Sequence, residues 1–514
     1  VNREVSLPEV LSTNQDVSGA AQPAPTFRDP SGELRLTETH ALRRVHPQAV
    51  EKTLAFLNSP LRQALERSGD MVSTEIVEPG ELLEAGERLA GGTVTGVALS
   101  GELCLRHPRI STISYPWEWT GSQWRAAAEL TLRIARQAVD AGWMLKDATP
   151  LNIVFDGPKP VLVDVLSLEP REPRSSVWLA YGQFVRSFLL PLYAEKYLNW
   201  SLQQTLFYRD GYEPRMIYEA LSPLARLRPS LLDVVTLATM FEPKSGRAKK
   251  STEKKTGPAE ASTDPELAAH ILRKRIGRLA RQIQSTAPRA EKRTDWSAYV
   301  QTASHYQAAD VAAKQHFVQD VLQRLRPARV LDIGANTGTY SMLAVEAGAR
   351  VVALDNDSGA IEALSRTAQQ KRAPITAFIA NIARPTPAVG WMNREQLSLL
   401  DRLQGQFDLV LMLAVIHHLI LREQVPLGHI AELAARLTRR WLVLEWVPPS
   451  DPMFQEWLRG RDDLYGHLNE DDLQRAFAPL FSASERFALG NGRVLFLFER
   501  NGAEEDDPAA GRAR

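Results

Sequence analysis

Residues 330–357 read VLDIGANTGTYSMLAVEAGARVVALDND. Val330, Leu331 and Ile333 suit a buried parallel strand, which is covered on both faces and so reads as an apolar run. Gly334 and Gly338 bracket a tight turn, and Thr339 to Ala347 can start a helix. Val351 to Leu354 form a second buried strand that ends at Asp355. Strand, turn, helix, strand and terminal acid together open a doubly wound α/β sheet, whose ligand sits beyond the carboxyl ends of the strands. The turn does not suit a dinucleotide. A G-x-G-x-x-G fingerprint sets a helix N-terminus against a pyrophosphate, but position 339 is Thr and the third glycine is missing. Asp332 ahead of the loop would repel a pyrophosphate, whereas it could hold an ammonium or a network around one.

The sheet continues downstream. Ile375 to Ile379 reads as a third strand leading to Asn381. FDLVLMLAVIHHL (407–419) gives a fourth strand and the start of a helix, and Trp441 to Trp446 a fifth strand containing Glu445. In this order, the pattern D-x-G-x-N-x-G at 332–338 resembles motif I of the class I S-adenosylmethionine-dependent methyltransferases. The resemblance implies a Rossmann-like, mostly parallel seven-stranded sheet and S-adenosyl-L-methionine as cofactor. It implies that Asp332, Gly334, Asn336 and Gly338 hold the methionine end and that Asn381 meets the adenine. Asp355 would accept both ribose hydroxyls, a task that suits the two acceptor oxygens of a carboxylate. Residues 407–419 resemble the motif IV region, which lies between cofactor and acceptor. ANIARPTPAVGW (380–391), LAVIHHL (413–419) and LVLEWVPPSDP (442–452) further resemble the bacterial group that contains the nodulation protein NoeA, a likeness that extends into the N-terminal half.

The reaction itself leaves less trace. The cofactor of such enzymes supplies the electrophilic methyl group, so the protein aligns acceptor, methyl and sulfur. An oxygen or nitrogen acceptor calls for a base. His417 or His418 could serve, since imidazole titrates near neutral pH, or a histidine could pack the strand–helix junction. Glu445 is a further polar candidate. The absence of an N-P-P-Y or D-P-P-Y tetrapeptide tells against an exocyclic amino acceptor without excluding it; the expected acceptor is a small molecule or glycan-like compound.

The N-terminal half resembles a protein kinase that has lost parts. In KDATPLNIVFDGPKPVLVDVL (146–166), Asp147 and Asn152 have the spacing of a kinase catalytic loop. A short hairpin around Asp156-Gly157 follows, and Asp164 stands where the metal-binding Asp would be. Gln123 to Ala141 reads as the long helix ahead of that loop. The departures are Lys146 before Asp147, Asp164-Val165-Leu166 without glycine, no glycine-rich loop within 25–45, and only Arg43 or Arg44 for the phosphate-binding lysine. They imply an α+β, kinase-like domain that is not a phosphotransferase, and Asp147, Asn152 and Asp164 could equally cap turns. Tyr115-Pro116-Trp117-Glu118-Trp119 is either a stacking platform for a ligand or a packed contact.

Composition bounds the rest. The chain has 514 residues, 44% hydrophobic and 24% charged, with 61 Lys+Arg against 61 Asp+Glu. These values fit a soluble chain with sizeable cores and give no overall basic field for nucleic acid. The single cysteine, Cys104, allows no internal disulfide and fits a reducing cytoplasm. No apolar stretch reaches the ~20 residues of a membrane span. The domains expected are a flexible N-terminus (1–24), the kinase-like domain (25–242), a basic linker (243–265), the methyltransferase domain with leading helices (266–500) and an acidic tail (501–514). Residues 244–293 hold fourteen Lys/Arg against five Asp/Glu. Two alternatives to methyl transfer alone therefore stand: a bifunctional kinase-methyltransferase, and an RNA- or anion-binding protein that uses this basic segment.

Overall fold

The computed structural model describes residues 29–37, 39–77, 103–241, 264–287, 308–458 and 465–503. Residues 1–24, nearly all of the linker expected at 243–265, the aromatics Trp296, Tyr299, His305 and Tyr306, and most of the 501–514 tail lie outside the described residues. Two compact units divide the chain: residues 1–51 with 73–109, and residues 52–72 with 110–514. This is not the division expected at 243–265, because much of the N-terminal half belongs with the C-terminal sheet.

The first unit is a four-stranded antiparallel sheet in the order β1-β2-β4-β3, from Gly32–Leu36, His40–Val45, Glu75–Val77 and Leu103–Pro108. Leu42, Val45, Val77, Leu103 and Leu105 are buried. Arg43 meets Asp29 and Arg44 meets Glu33.

The second unit begins within helix α1 (Pro47–Leu57) and continues through α2 (Pro60–Ser68) and the long α3 (Gly121–Asp140). At the start of α3, Thr120 and Gln123 close a capping box that satisfies orphan N–H groups. β5 (Trp143–Leu145) pairs with β8 (Leu168–Pro170), and β6 (Ile153–Asp156) with β7 (Lys159–Leu162) in the expected hairpin. Gly157 takes a left-handed φ of 60° at its tip. Helical segments fill Tyr181 to Met240. Helix α4 (Pro265–Ser285) buries Leu272, Ile276, Leu279 and Ile283, the stripe its spacing predicts, and packs on α3. Arg273 reaches Asp140 at 2.6 Å and Arg278 reaches Asp233 at 2.7 Å. This basic helix therefore docks on its own chain, alongside the N-terminal half.

The C-terminal sheet has seven strands in the order β11-β10-β9-β12-β13-β15-β14. They are β9 (Arg329–Ile333), β10 (Arg350–Asp355), β11 (Ile375–Ile379), β12 (Phe407–Met412), β13 (Thr438–Trp446), β14 (Phe481–Ala488) and β15 (Val494–Arg500). β9 to β13 are parallel, and β15 and β14 add antiparallel. Each strand feeds two cores because successive side chains alternate faces. Leu331, Val352, Phe378, Val410, Leu442 and Phe496 pack under α8 (Leu399–Leu403), α9 (Ile416–Leu421), α10 (Leu427–Leu437) and α12 (Glu470–Phe477). Val330, Val351, Ala377, Leu409, Val443 and Leu495 pack under α5 (Ala308–Leu325), α6 (Thr339–Glu346) and α7 (Ser358–Lys371). Chain order also gives α11 (Pro452–Leu458). The first expected strands, loop and acid all fall where the sequence puts them.

The N-terminal half covers the free edge of this sheet. Gln123, held by its capping box, donates Nε2–H to the carbonyl of Ala377 on edge strand β11 at 2.7 Å. Ser122 N–H donates to Glu362. Glu118 and Arg402, 1% and 3% exposed at the side chain, pair at 2.5 Å. Arg402 also donates to the Ile113 carbonyl and lies 4.5 Å over the Tyr115 ring. Tyr115 Oη accepts from Leu397 N–H at 3.0 Å, and Trp119 is fully buried with its indole N–H on Ser114. The Tyr115–Trp119 motif is thus a packed contact against Arg402 and Leu397, while Gln123 covers an edge otherwise open to pairing.

Candidate active site

The loop after β9 is shaped by three left-handed residues: Gly334, Asn336 and Gly338, with φ of 75°, 49° and 89°. A Cβ on Gly334 would lie 2.5 Å from Val415 Cγ2, and one on Gly338 would collide with Leu364. Glycine is needed at both positions because of the backbone angle and the close approach. Gly334 and Ala335 N–H groups both reach the Leu354 carbonyl of β10. Asn336 N–H donates to Asp355 Oδ2 and Asp357 N–H to Asp355 Oδ1, each at 2.8 Å. Each Asp355 oxygen thus accepts a backbone bond at the carboxyl end of β10, and the Asn356 N–H also acts on this carboxylate. Burial pushes the Asp355 carboxyl upward against the backbone hydrogen bonds of Asp357, Asn336 and Asn356.

The other expected cofactor residues hold the loop and the turn after β11 in place. Asp332 is buried and accepts from Ser341 Oγ at 2.6 Å, which ties β9 to α6. Asn336 Oδ1 accepts from Thr337 N–H. Asn381 Oδ1 accepts from Ala383 and Arg384 N–H groups, which caps the turn after β11 and turns its NH2 group away from that task.

Burial raises the Asp332 carboxyl from 3.8 to about 6, opposed by the Ser341 hydroxyl. A carboxyl whose folded value is raised binds more protons folded than unfolded between the two values. Its stabilising effect is therefore present at low pH and lost as pH rises through about 6. Asp332→Asn is expected to gain up to about 3 kcal/mol over the natural chain at pH 8. The gain should shrink through pH 6 and vanish below pH 4. Urea midpoints across that range check it; a difference independent of pH would contradict it.

The carboxyl end of β12 brings up the histidines. Val415 lies against Gly334, and His417 follows in the first turn of α9. His417 is 3% exposed, and its Nδ1 has no hydrogen-bond partner among the described residues. Its ring centroid lies 4.1 Å from that of His418. Burial, then the charges of His418, Arg493 and Lys314, hold the His417 imidazole well below its ordinary range. Burial, then Arg422 and Arg493, lower His418 to about 4. Both rings are neutral at physiological pH.

Glu445 does not face an open pocket, which corrects the expectation for it. The side chain is fully buried in β13. Its Oε2 accepts from Lys314 Nζ, and its Oε1 accepts from Arg493 at 3.2 Å. Arg493 also binds Asp451 through Nε at 2.7 Å and Nη2 at 3.2 Å. Burial raises the Glu445 carboxyl, but the Lys314 and Arg493 cations outweigh it and leave it below the usual range. Lys314 lies 5.0 Å over the ring of Tyr340, the second residue of α6. The network thus borders the glycine loop. Lys314, Arg493 and Asp451 were missed from the sequence. One signal was available: Lys314 lies in register with Asp310, Phe317, Val318 and Val321 on the buried face of α5.

In the N-terminal half, Asn152 Nδ2 donates to Ser167 Oγ at 3.1 Å, and Ser167 Oγ donates to Asp164. Asp164 also accepts from Leu166 N–H as the cap of a short helical turn. The structure thus brings Asn152 and Asp164 together around Ser167.

Comparison with known proteins agrees with the C-terminal geometry. Residues 331–440 match the family described as a methyltransferase domain. The chain is 27% identical over 503 residues to nodulation protein NoeA of Rhizobium meliloti (strain 1021), which covers 96% of this chain and 99% of that protein. Among solved structures, magnesium protoporphyrin IX methyltransferase (ChlM) from Synechocystis PCC 6803 with bound SAH aligns at 17% identity and a TM-score of 0.29, over 40% of this chain and 94% of that one. The bifunctional kinase-methyltransferase WbdD aligns at 18% identity and a TM-score of 0.29, over 42% of this chain and 45% of that one. With its glycine loop and acid-terminated second strand, the seven-stranded sheet has a class I, Rossmann-like fold, and residues 331–440 within it match a methyltransferase domain.

Proposed function

We propose that this chain transfers a methyl group from S-adenosyl-L-methionine to a small-molecule or glycan-like acceptor. The observation that carries the reading is Asp355: a carboxylate at the carboxyl end of β10, oriented by backbone N–H groups of the glycine loop and of the turn that follows the strand. That acceptor set fits a ribose diol. The loop of Gly334, Asn336 and Gly338 would approach the methionine end, with Asp332 holding loop and helix through Ser341. Asn381 offers its NH2 group to the adenine, which suits a ring nitrogen as acceptor. When bound, the cofactor supplies an electrophilic methyl group; the chain's part is alignment and proton handling.

His417 Nδ1 is our candidate proton acceptor, since the nitrogen has no partner among the described residues, the ring is held neutral, and Val415, two residues earlier, packs against Gly334 of the loop. His418 lies beside it with its ring tilted by 37° and is the second candidate. We read the N-terminal half as a kinase-like fold without phosphotransfer, with Asp164 and Asn152 engaged in turn structure, and the cytoplasm as its compartment. Incubation with methyl-labelled S-adenosylmethionine and pooled hydroxylated metabolites and oligosaccharides tests the function. Label transferred to one pool and lost in Asp355→Ala supports it; no transfer to any pool, with cofactor bound, contradicts the acceptor class.

A further inference from the structure

Lysine is rarely buried, because taking its ammonium out of water can cost more than a single ion pair returns. Lys314 in α5 is nevertheless only 6% exposed. Holding the helix does not account for it. Asp310 accepts from Gly490 N–H at 2.9 Å, Phe317 stacks on Phe487 with ring centroids 5.4 Å apart, and Arg324 pairs with Glu485 at 2.5 Å. These contacts fasten α5 to the β14–β15 hairpin without Lys314. Nor does the Glu445 carboxylate depend on Lys314 for its only cation, since Arg493 reaches it at 3.2 Å.

What Lys314 adds is reach toward the glycine loop. Its Nζ lies 5.0 Å over the Tyr340 ring, and the next residue, Ser341, donates its hydroxyl to Asp332 at 2.6 Å. Two successive residues in the first turn of α6, directly after Gly338, are thus taken up, one by α5 and the other by β9. The groups that act on the buried Asp332 carboxyl are the Ser341 hydroxyl, Asp355 and Lys314, and Lys314 favours the ionised form. The same ammonium, with His418 and Arg493, disfavours a proton on His417. One side chain therefore acts on both the loop and the candidate base. We propose that Lys314 is a positioning residue of the cofactor site: pinned by Glu445 over the Tyr340 ring, it fixes the first turn of α6 beside the Asp332–Ser341 bond and brings a positive charge to the loop. The inference rests on reading that loop as the S-adenosylmethionine site.

The test is calorimetric titration of the full chain with S-adenosylhomocysteine between about pH 5 and about pH 8, beside Lys314→Met, Lys314→Arg and Asp332→Asn. The α-ammonium of this ligand favours an ionised Asp332. Affinity of the natural chain should therefore fall as pH drops through about 6, and Asp332→Asn should lose that limb. Lys314→Met keeps the bulk and loses the charge. It should move the limb up by about one unit, which makes binding near pH 6 roughly fivefold weaker. Lys314→Arg keeps the charge and should leave the limb near its natural position. A purely structural role would lower affinity equally at every pH; that result, or an unmoved limb, overturns the proposal. Should Lys314→Met fail to fold, the double variant Lys314→Met, Glu445→Gln removes both charges of the pair and should move the limb in the same direction. No binding by the natural chain at millimolar ligand overturns the cofactor reading itself, whereas binding with an unmoved limb overturns only the role of Lys314.

Discussion

Replacing Arg402 by methionine is expected to destabilise the protein by about 3–5 kcal/mol. Glu118 and Arg402 are both nearly inaccessible, so the substitution leaves a buried carboxylate without its cation. It also strips the Ile113 carbonyl of its donor. Glu118→Leu should cost a similar amount from the other side, since Glu118 Oε2 holds Tyr115 N–H at 2.9 Å as well. The double variant should cost clearly less than the sum of the two, because removing both charges also removes the desolvation penalty. Urea unfolding followed by tryptophan fluorescence, over the full double-mutant cycle, reads this. Additive losses would show that the pair is not coupled. The same geometry predicts that residues 264–514 alone would expose the β11 edge that Gln123 covers.

Arg493→Met is expected to have an effect of similar size, about 3–5 kcal/mol, at the carboxyl end of the sheet. Arg493 serves two buried carboxylates at once, Glu445 and Asp451. Without it Glu445 keeps Lys314 as its ion-pair partner, while Asp451 keeps the Met453 N–H. Arg493→Lys should recover only part of the loss, since an ammonium cannot reproduce the two parallel bonds to Asp451. Because this network borders Tyr340 and His417, the Met variant should also weaken cofactor binding where it remains folded. A variant with unchanged urea midpoint would contradict the account of a buried, coupled cluster.

Local pattern made the C-terminal half readable. The apolar runs at 330–333, 351–354 and 407–412 mark parallel strands covered on both faces, and their loops are short enough for order along the chain to imply adjacency. Asp355 was legible because it ends such a strand beside a glycine turn. The contacts that fix the site and join the halves were not, for a physical reason. Lys314 and Glu445 are 131 positions apart, Arg493 and Asp451 are 42 apart, and Arg402 and Glu118 are 284 apart. Such ion pairs leave no periodic signature in sequence. Glu445 illustrates the cost: within WLVLEW it reads as a polar group at a strand end, and only the fold reveals its two cations. The helix at 265–285 shows the reverse case, where the buried stripe was legible but its partner, α3, was not.

The most direct test of the central claim is calorimetric titration of the purified chain with S-adenosylhomocysteine, beside the Asp355→Ala variant. The account predicts micromolar binding by the natural chain and a loss of at least about 1.4 kcal/mol, tenfold in affinity, in the variant. Equal binding by the two proteins, or none by the natural chain at millimolar ligand, would contradict it.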